Sequence, residues 1–280
     1  MDVIESAYGM QKRAKEIRQE GKRIAFVPTM GFFHEGHLEL MRVGKRHADK
    51  VIISLFVNPT QFGPGEDFKQ YPRDLEGDLS KAEGVGVDIA FVPSAEEMYP
   101  EGFQAWISVK KVTRHLCGLS RPGHFDGVTT VVAKLFNMTK PHVSIFGEKD
   151  YQQLTVIRRM VKDLNMDMDI LGIPIVREPD GLAMSSRNTY LNDEERLSAL
   201  SLKKSLDLAG EMVKGGERDS LKIKRAVEHF ILGHPHTEID YITLCHPETL
   251  ENVTTVEDET LLALAVKVGK TRLIDNSVIT

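Results

Sequence analysis

Apolar runs at residues 24–27, 51–57, 87–92, 142–146 and 169–176 have the length and β-branched content of buried strands. Between them, residues 38–46, 75–83, 128–137 and 151–163 repeat apolar positions at helical spacing. Strands that alternate with helices imply a parallel sheet joined by right-handed crossovers, so the expected class is α/β, a Rossmann-like doubly wound sheet. Residues 105–109 read as a short additional strand ahead of the fourth main one. Beyond Tyr190 the pattern changes. Asn192 and Glu195 are spaced as a capping box for a helix that runs toward Lys214, where Gly215-Gly216 stops it. A second helix covers 221–232, and 239–244, 261–268 and 271–274 read as strands of a small antiparallel sheet. The expected division is therefore a Rossmann-like domain at 1–176 and a smaller C-terminal α+β domain at 177–280, with 177–188 as both hinge and binding loop.

The segments with unusual chemistry all follow strand ends: 28–37, 58–73, 147–153 and 177–188. In doubly wound sheets ligands bind beyond the carboxyl ends of the strands, so one cleft is expected to collect these segments. The remaining properties narrow the ligand. A chain of 280 residues with 41% hydrophobic and 28% charged residues is an ordinary globular composition, and its net charge of −5 argues against a broad nucleic-acid surface. The expected partners are small molecules, with no nucleic acid and no membrane. Cys117 and Cys245 are too few for a disulfide framework and fit a reducing compartment. No secretory pattern and no run of the ~20 apolar residues needed to cross a bilayer is visible, so the expected location is cytoplasmic.

Directly after the first apolar run stands Pro28-Thr29-Met30-Gly31-Phe32-Phe33-His34-Glu35-Gly36-His37. A strand, a glycine turn and the start of a helix near Leu38 form a ready place for phosphate, and the imidazoles of His34 and His37 can donate to it. The alternatives are a surface turn, or a metal pair on one helical face. Zinc would need further ligands, and neither a cysteine cluster nor the His-Glu-x-x-His spacing is present. Asn58-Pro59-Thr60-Gln61 reads either as a plain turn or as a way to aim the Gln61 amide, which can donate and accept at once. In Gly147-Glu148-Lys149-Asp150 the acids suit a helix start, whereas Lys149 makes electrostatic sense there only with an anion alongside. Met184-Ser185-Ser186-Arg187 is in isolation a small-residue linker with one solvated arginine. Asp78 lies in a helical segment where a solvated acid is the ordinary expectation, and Arg121 and His124 sit in a glycine-containing loop.

His34-Glu35-Gly36-His37 resembles the His-x-Gly-His signature of the nucleotidylyltransferase superfamily. Together with Phe56-Val57-Asn58-Pro59-Thr60-Gln61-Phe62, Tyr71-Pro72-Arg73, Arg121 through Gly127, Phe146 through Gln153, Met184 through Asn188 and Val268 through Asn276, it is similar to the pantoate–β-alanine ligase family over nearly the whole chain. That resemblance implies ATP-dependent condensation of pantoate with β-alanine through a pantoyl adenylate, and a homodimer. It implies ATP contacts from Pro28, Thr29, Met30, Gly31, His34, Gly36, His37, Gly147, Glu148, Lys149, Asp150, Val176, Met184, Ser185, Ser186 and Arg187. Pantoate would be met by Gln61, Gln153, Met30 and Asn58, and β-alanine by Gln61. Catalysis would rest on His37, His34, Lys149, Ser185, Ser186 and Arg187. Mg2+ would accompany ATP, with Asp78 as its candidate ligand, and Arg121 and His124 would be secondary phosphate or gate residues. The Ser185–Arg187 stretch would correspond to the mobile Lys-Met-Ser-Lys-Ser loop of the superfamily, with Arg187 where lysine is usual. No cysteine or serine nucleophile with a supporting base is apparent, so no covalent enzyme intermediate is expected. The rivals are another adenylyl or cytidylyl transferase, a class I tRNA synthetase, and a nucleotide-sensing module without turnover; a nicotinamide-binding module lacks its Gly-x-Gly-x-x-Gly turn.

Overall fold

The computed structural model describes residues 1–280. In chain order its elements are β1 (Asp2–Ile4), α1 (Ala7–Gln19), β2 (Ile24–Thr29), α2 (Glu35–His47), β3 (Lys50–Leu55), α3 (Leu75–Gly84), β4 (Ile89–Phe91) and α4 (Ala95–Met98). There follow α5 (Cys117–Ser120), α6 (His124–Thr139), β5 (Val143–Gly147), α7 (Tyr151–Asp163), β6 (Asp169–Ile173), α8 (Asp193–Lys214), α9 (Ser220–Leu232), β7 (Thr237–Cys245), β8 (Thr260–Val268) and β9 (Thr271–Ile279). The chain falls into two compact units. The first is Met1–Lys110, Arg121–Glu148 and Gln153–Pro174; the second is Lys111–Ser120, Lys149–Gln152 and Ile175–Thr280. The last passage between them lies close to residue 176. The short segments 111–120 and 149–152 group with the second unit although the chain on both sides of each belongs to the first.

The first unit is a six-stranded parallel sheet in the order β1-β4-β3-β2-β5-β6. The period of two along the strands divides its core. Ala25 and Val27, Val51 and Ile53, and Val143 and Ile145 face one layer with Met41 and Val43 of α2 and Ala82 of α3. Phe26 and Phe146 point to the other face, where both rings meet Phe136 of α6 edge-on. Both faces are thus covered by helices, which is why the central strands read as continuous apolar runs.

Strand order reverses between β2 and β5, and the two strands pair only at Ala25–Val143 and Phe26–Ser144. Beyond Phe26 they separate, and Pro28, which has no N–H to donate, lies in that stretch. A crevice at the switch point follows from this early end to the ladder.

The second unit sets α8 and α9 against the antiparallel sheet β7-β8-β9, with Leu262, Leu264 and Val266 of β8 in one core with Leu202, Leu206, Val227 and Ile231. The Asn192–Glu195 capping box opens α8 as its spacing predicts: Glu195 N–H donates to Asn192 Oδ1 at 2.9 Å, and Asn192 N–H to Glu195 Oε2 at 3.1 Å.

Several expectations change. Residues 105–109 form no strand, because Ile107 N–H donates to the Thr130 hydroxyl and its carbonyl accepts from the Thr129 hydroxyl, so helix α6 replaces a ladder. β1 is an edge strand of only three residues, too short for any periodicity. α1 is an amphipathic helix with Met10, Ala14 and Ile17 buried. α6 starts four residues before its apolar pattern, after Gly123 in the left-handed region at φ +81°. β9 continues to Ile279, past the polar Asp275, Asn276 and Ser277 that obscure its pattern.

Candidate active site

β2 ends at Thr29, whose hydroxyl donates to the Ser54 carbonyl and accepts from Gly31 N–H at 3.3 Å. Gly31 (φ +88°) and Phe32 (φ +55°) then place two successive residues in the left-handed region. This conformation is natural for glycine and unfavourable for phenylalanine. A Cβ on Gly31 would also stand 2.9 Å from Asp78 Oδ2. The chain leaves this turn at His34, an extended N-cap residue (φ −116°, ψ 173°), so α2 begins at Glu35 rather than near Leu38. His37 therefore lies in the first turn of the helix. Its Nδ1 accepts from His34 N–H at 3.4 Å, and the two rings are 4.1 Å apart. An accepting Nδ1 assigns the proton of the neutral ring to Nε2, which makes Nε2–H its donor.

Asp78 is not a solvated acid. It is 1% exposed, and its carboxylate accepts from Phe32 N–H and Phe33 N–H, each at 2.6 Å. Burial outweighs those two bonds and pushes its carboxyl above the usual range. Three residues on, Lys81 Nζ donates to the Phe33 carbonyl at 3.0 Å. A magnesium ligand needs an accessible oxygen, and this carboxylate does not fit that role: it is sealed from solvent and both its oxygens are engaged with the main chain. No group of three His, Cys, Asp or Glu side chains is placed to hold a metal.

The second segment follows β3. Asn58, 1% exposed, accepts at Oδ1 from Thr60 N–H (3.3 Å), the Thr60 hydroxyl (2.9 Å) and the Tyr99 hydroxyl (2.9 Å). Its amide donates to the Gly127 carbonyl (3.2 Å) and to Gln61 Oε1 (3.1 Å). Asn58 is thus spent on building the Pro59–Gln61 turn, while Gln61 Nε2 reaches Met30 Sδ at 3.3 Å and joins this turn to the end of β2. Gly127 permits the assembly: a Cβ there would meet the Thr60 carbonyl oxygen at 2.4 Å. Arg121 forks onto Glu66 at 2.8 and 2.6 Å, and its guanidinium (3.2 Å) and the His124 ring (2.8 Å) both contact the Gln61 carbonyl. These two residues brace the back of the turn. Gly127 closes the Arg121–Gly127 motif, whereas Glu66, Tyr99 and Lys81 also carry this geometry and no motif in the sequence singles them out for function.

In the second unit Lys149 is half-buried and Asp150 exposed. The Lys149 carbonyl accepts from Asn276 Nδ2 at 3.0 Å. Neighbouring glutamines divide their work. Gln152, 5% exposed, donates to the Val112 (2.9 Å) and His115 (2.7 Å) carbonyls and accepts from Cys117 N–H (2.9 Å). Gln153, in the first unit, is half-buried near the start of α7. The 177–188 segment folds back on itself: Glu178 N–H donates to Leu182 O at 2.8 Å, and Met184 N–H to Val176 O at 3.0 Å. Arg177 makes a two-pronged bond to Asp275 at 2.7 and 2.8 Å, and Arg196 pairs with Glu178 and Asp180. Ser185 Oγ accepts from Arg187 N–H at 3.3 Å as a short turn begins, with Ser186 buried and Arg187 half-buried. Far from being a loose linker, this loop is braced to α8 and β9.

The first unit therefore brings together Met30, Gly31, His34, His37, Asn58 and Gln61, with Asp78 behind them. The second ties Lys149 and the Ser185–Arg187 loop to the same strand, β9. No helix is long and apolar enough to cross a membrane. The family model described as pantoate-beta-alanine ligase matches residues 2–278. Pantothenate synthetase of Geobacter sulfurreducens is 56% identical over 279 residues, covering 100% of this chain and 99% of the relative. That of Syntrophus aciditrophicus is 55% identical over 278 residues, with coverage of 99% and 97%. The crystal structure of pantothenate synthetase from Thermus thermophilus superposes with a TM-score of 0.93 at 42% identity, covering 99% of each chain. Pantoate-beta-alanine ligase from Francisella tularensis, complexed with beta-gamma ATP and beta-alanine, gives 0.81 at 33% identity over 99% of this chain and 97% of that one. With its motifs, fold and full-length likeness in agreement, this chain belongs to the pantoate–β-alanine ligase family.

Proposed function

We propose that the protein condenses pantoate with β-alanine to give pantothenate in two steps driven by ATP. In the first, a pantoate carboxylate oxygen attacks the α-phosphorus, the bond to the bridging oxygen breaks, and pyrophosphate leaves a pantoyl adenylate. In the second, the β-alanine amine attacks the activated acyl carbon, and the carbon–oxygen bond to AMP breaks as the amine loses its proton. Adenylation is required because a free carboxylate is a poor acyl donor.

In this reading His34 and the Nε2–H of His37 stabilise charge on the departing phosphates, as preorganised donors do. Lys149, Ser185, Ser186 and Arg187 act on the same triphosphate. Pro28, Thr29, Met30, Gly31, Gly36, Gly147, Glu148, Asp150, Val176 and Met184 contribute the remaining nucleotide contacts, and Gln61 and Gln153 orient pantoate. Asn58 serves pantoate through Gln61, whose amide it holds. Mg2+ would enter with ATP and would supply neutralisation of phosphate charge. The 177–280 domain closes over the adenylate as a lid, and the protein works in the cytoplasm as a homodimer.

One observation carries the reading. The Gln61 amide reaches Met30, one residue ahead of the left-handed turn that leads into His34 and His37. The Gln61 amide and the two imidazoles thus stand on adjoining loops, which supports giving the first to a carboxylate and the second to phosphates. Purified protein with ATP, Mg2+ and pantoate is expected to exchange pyrophosphate into ATP, and to form AMP and pantothenate when β-alanine is added. Pyrophosphate release that ignores both pantoate and β-alanine would point to another nucleotidylyltransferase and sink the assignment.

A further inference from the structure

The turn between β2 and α2 poses a physical problem that its own residues do not solve. Phe32 is held at φ +55°, which a bulky L-residue adopts only under constraint, and it directly follows Gly31 at φ +88°. The constraint comes from α3. Asp78 accepts the N–H groups of Phe32 and Phe33 on separate oxygens, and Lys81 donates to the Phe33 carbonyl. Two side chains one helical turn apart thereby grip three polar groups of the main chain on one side of His34. On the other side, α2 starts immediately, and the His34–His37 contact fixes the first turn. His34 thus has its backbone direction set from α3 and its ring set against His37.

We infer that Asp78 and Lys81 are positioning residues for adenylation, a clamp on α3 that holds the turn before His34 so that both imidazoles meet the phosphates in register. This inference rests on the proposed activity for its kinetic consequence, though not for its structural one. Neither residue is a catalytic residue: Asp78 is sealed from solvent, and Lys81 is directed at a carbonyl. The clamp also assigns Asp78 a role different from metal ligation. Asp78 is 1% exposed, and its carboxylate is turned to the main chain of Phe32 and Phe33 from a closed site rather than toward an accessible ion.

Asp78→Asn keeps the size of the side chain but sets an NH2 group against one of the two N–H donors. The turn should shift, and misplacement of reacting groups on that scale lowers kcat for pantoate-dependent pyrophosphate exchange by roughly 10- to 100-fold. KM for pantoate should stay within about twofold, because the lost interaction acts in the transition state rather than on pantoate binding. Lys81→Met removes the carbonyl bond together with a positive charge that favours the Asp78 carboxylate, and should lower kcat by about three- to tenfold. In the ligand-free protein, the ring signals of 15N-labelled His34 and His37 should move in both variants. Wild-type kcat in folded Asp78→Asn, a change in KM alone, or unmoved histidine signals would each overturn the clamp. Should Asp78→Asn fail to fold, Lys81→Met decides alone: wild-type kcat with unmoved ring signals refutes it. A wild-type protein with no pantoate-dependent exchange would refute the proposed activity instead, and the ring signals would still judge the clamp.

Discussion

The turn that bears His34 in the first unit and the loop that bears Ser185 and Arg187 in the second are both short connections, and they are held in different ways. The first is gripped through its main chain. Buried Asp78 takes two backbone N–H groups, and positive φ values at Gly31 and Phe32 shape the path. The second folds back on its own main chain and is tied to neighbouring elements through side chains: Arg177 pairs with Asp275 from β9, and Arg196 from α8 reaches Glu178 and Asp180. A main-chain grip fixes donor directions closely, which suits charge stabilisation at a defined point. Side-chain ion pairs tie a loop to distant elements, so its stability follows that of the whole C-terminal fold.

Substitutions can test that contrast. The largest effect is expected at Asp275, which is 2% exposed in its pair with Arg177. Asp275→Ala strands a largely buried guanidinium and should cost about 3–5 kcal/mol in denaturant unfolding, because an uncompensated buried charge is strongly unfavourable. If it costs no more than an exposed ion pair, the side-chain grip is not what holds this loop. Gly31→Ala attacks the other side of the comparison. Its Cβ meets Asp78 Oδ2 at 2.9 Å in a left-handed backbone, and the strain should cost about 1–3 kcal/mol with loss of most pyrophosphate exchange. An alanine variant with normal exchange would show that the main-chain grip tolerates displacement. The smallest effect is expected for Asn276→Ala, which removes the donor to the Lys149 carbonyl. It should cost about 1 kcal/mol and raise KM for ATP several-fold without changing KM for pantoate; equal changes in both would argue that β9 does not act through Lys149.

How far the sequence reveals this depends on where each signal resides. Buried parallel strands such as β3 and β5 are continuous apolar runs and are legible directly, as is the Asn192–Glu195 capping box. The start of α2 is not, because His34 takes the N-cap position without belonging to the usual capping residue types. Residues 105–109 have the apolar content of a strand, yet their backbone bonds go to Thr129 and Thr130, a tertiary fact invisible in a local pattern. At the site, His34, His37 and Gln61 are recognisable from their motifs. Asp78 reads in the sequence as a solvated acid and is buried in the fold, because helical spacing reports which face a residue occupies and not which loop covers it. Gln152 and Gln153 are adjacent and chemically identical, and only the fold shows that Gln152 ties down the 112–117 segment.

The membership of Lys149–Gln152 in the second unit has a practical consequence for anyone dividing the molecule. A chain cut near residue 176 would retain Lys149 as a letter in its N-terminal piece and leave behind Asn276, to which its carbonyl is bonded. Reassembly from two fragments would therefore have to restore a lysine's surroundings as well as a loop. The surroundings of Lys149 thus depend on a strand more than 100 residues downstream, and swapping C-terminal regions between relatives would exchange the partner of its carbonyl along with the rest of that fold.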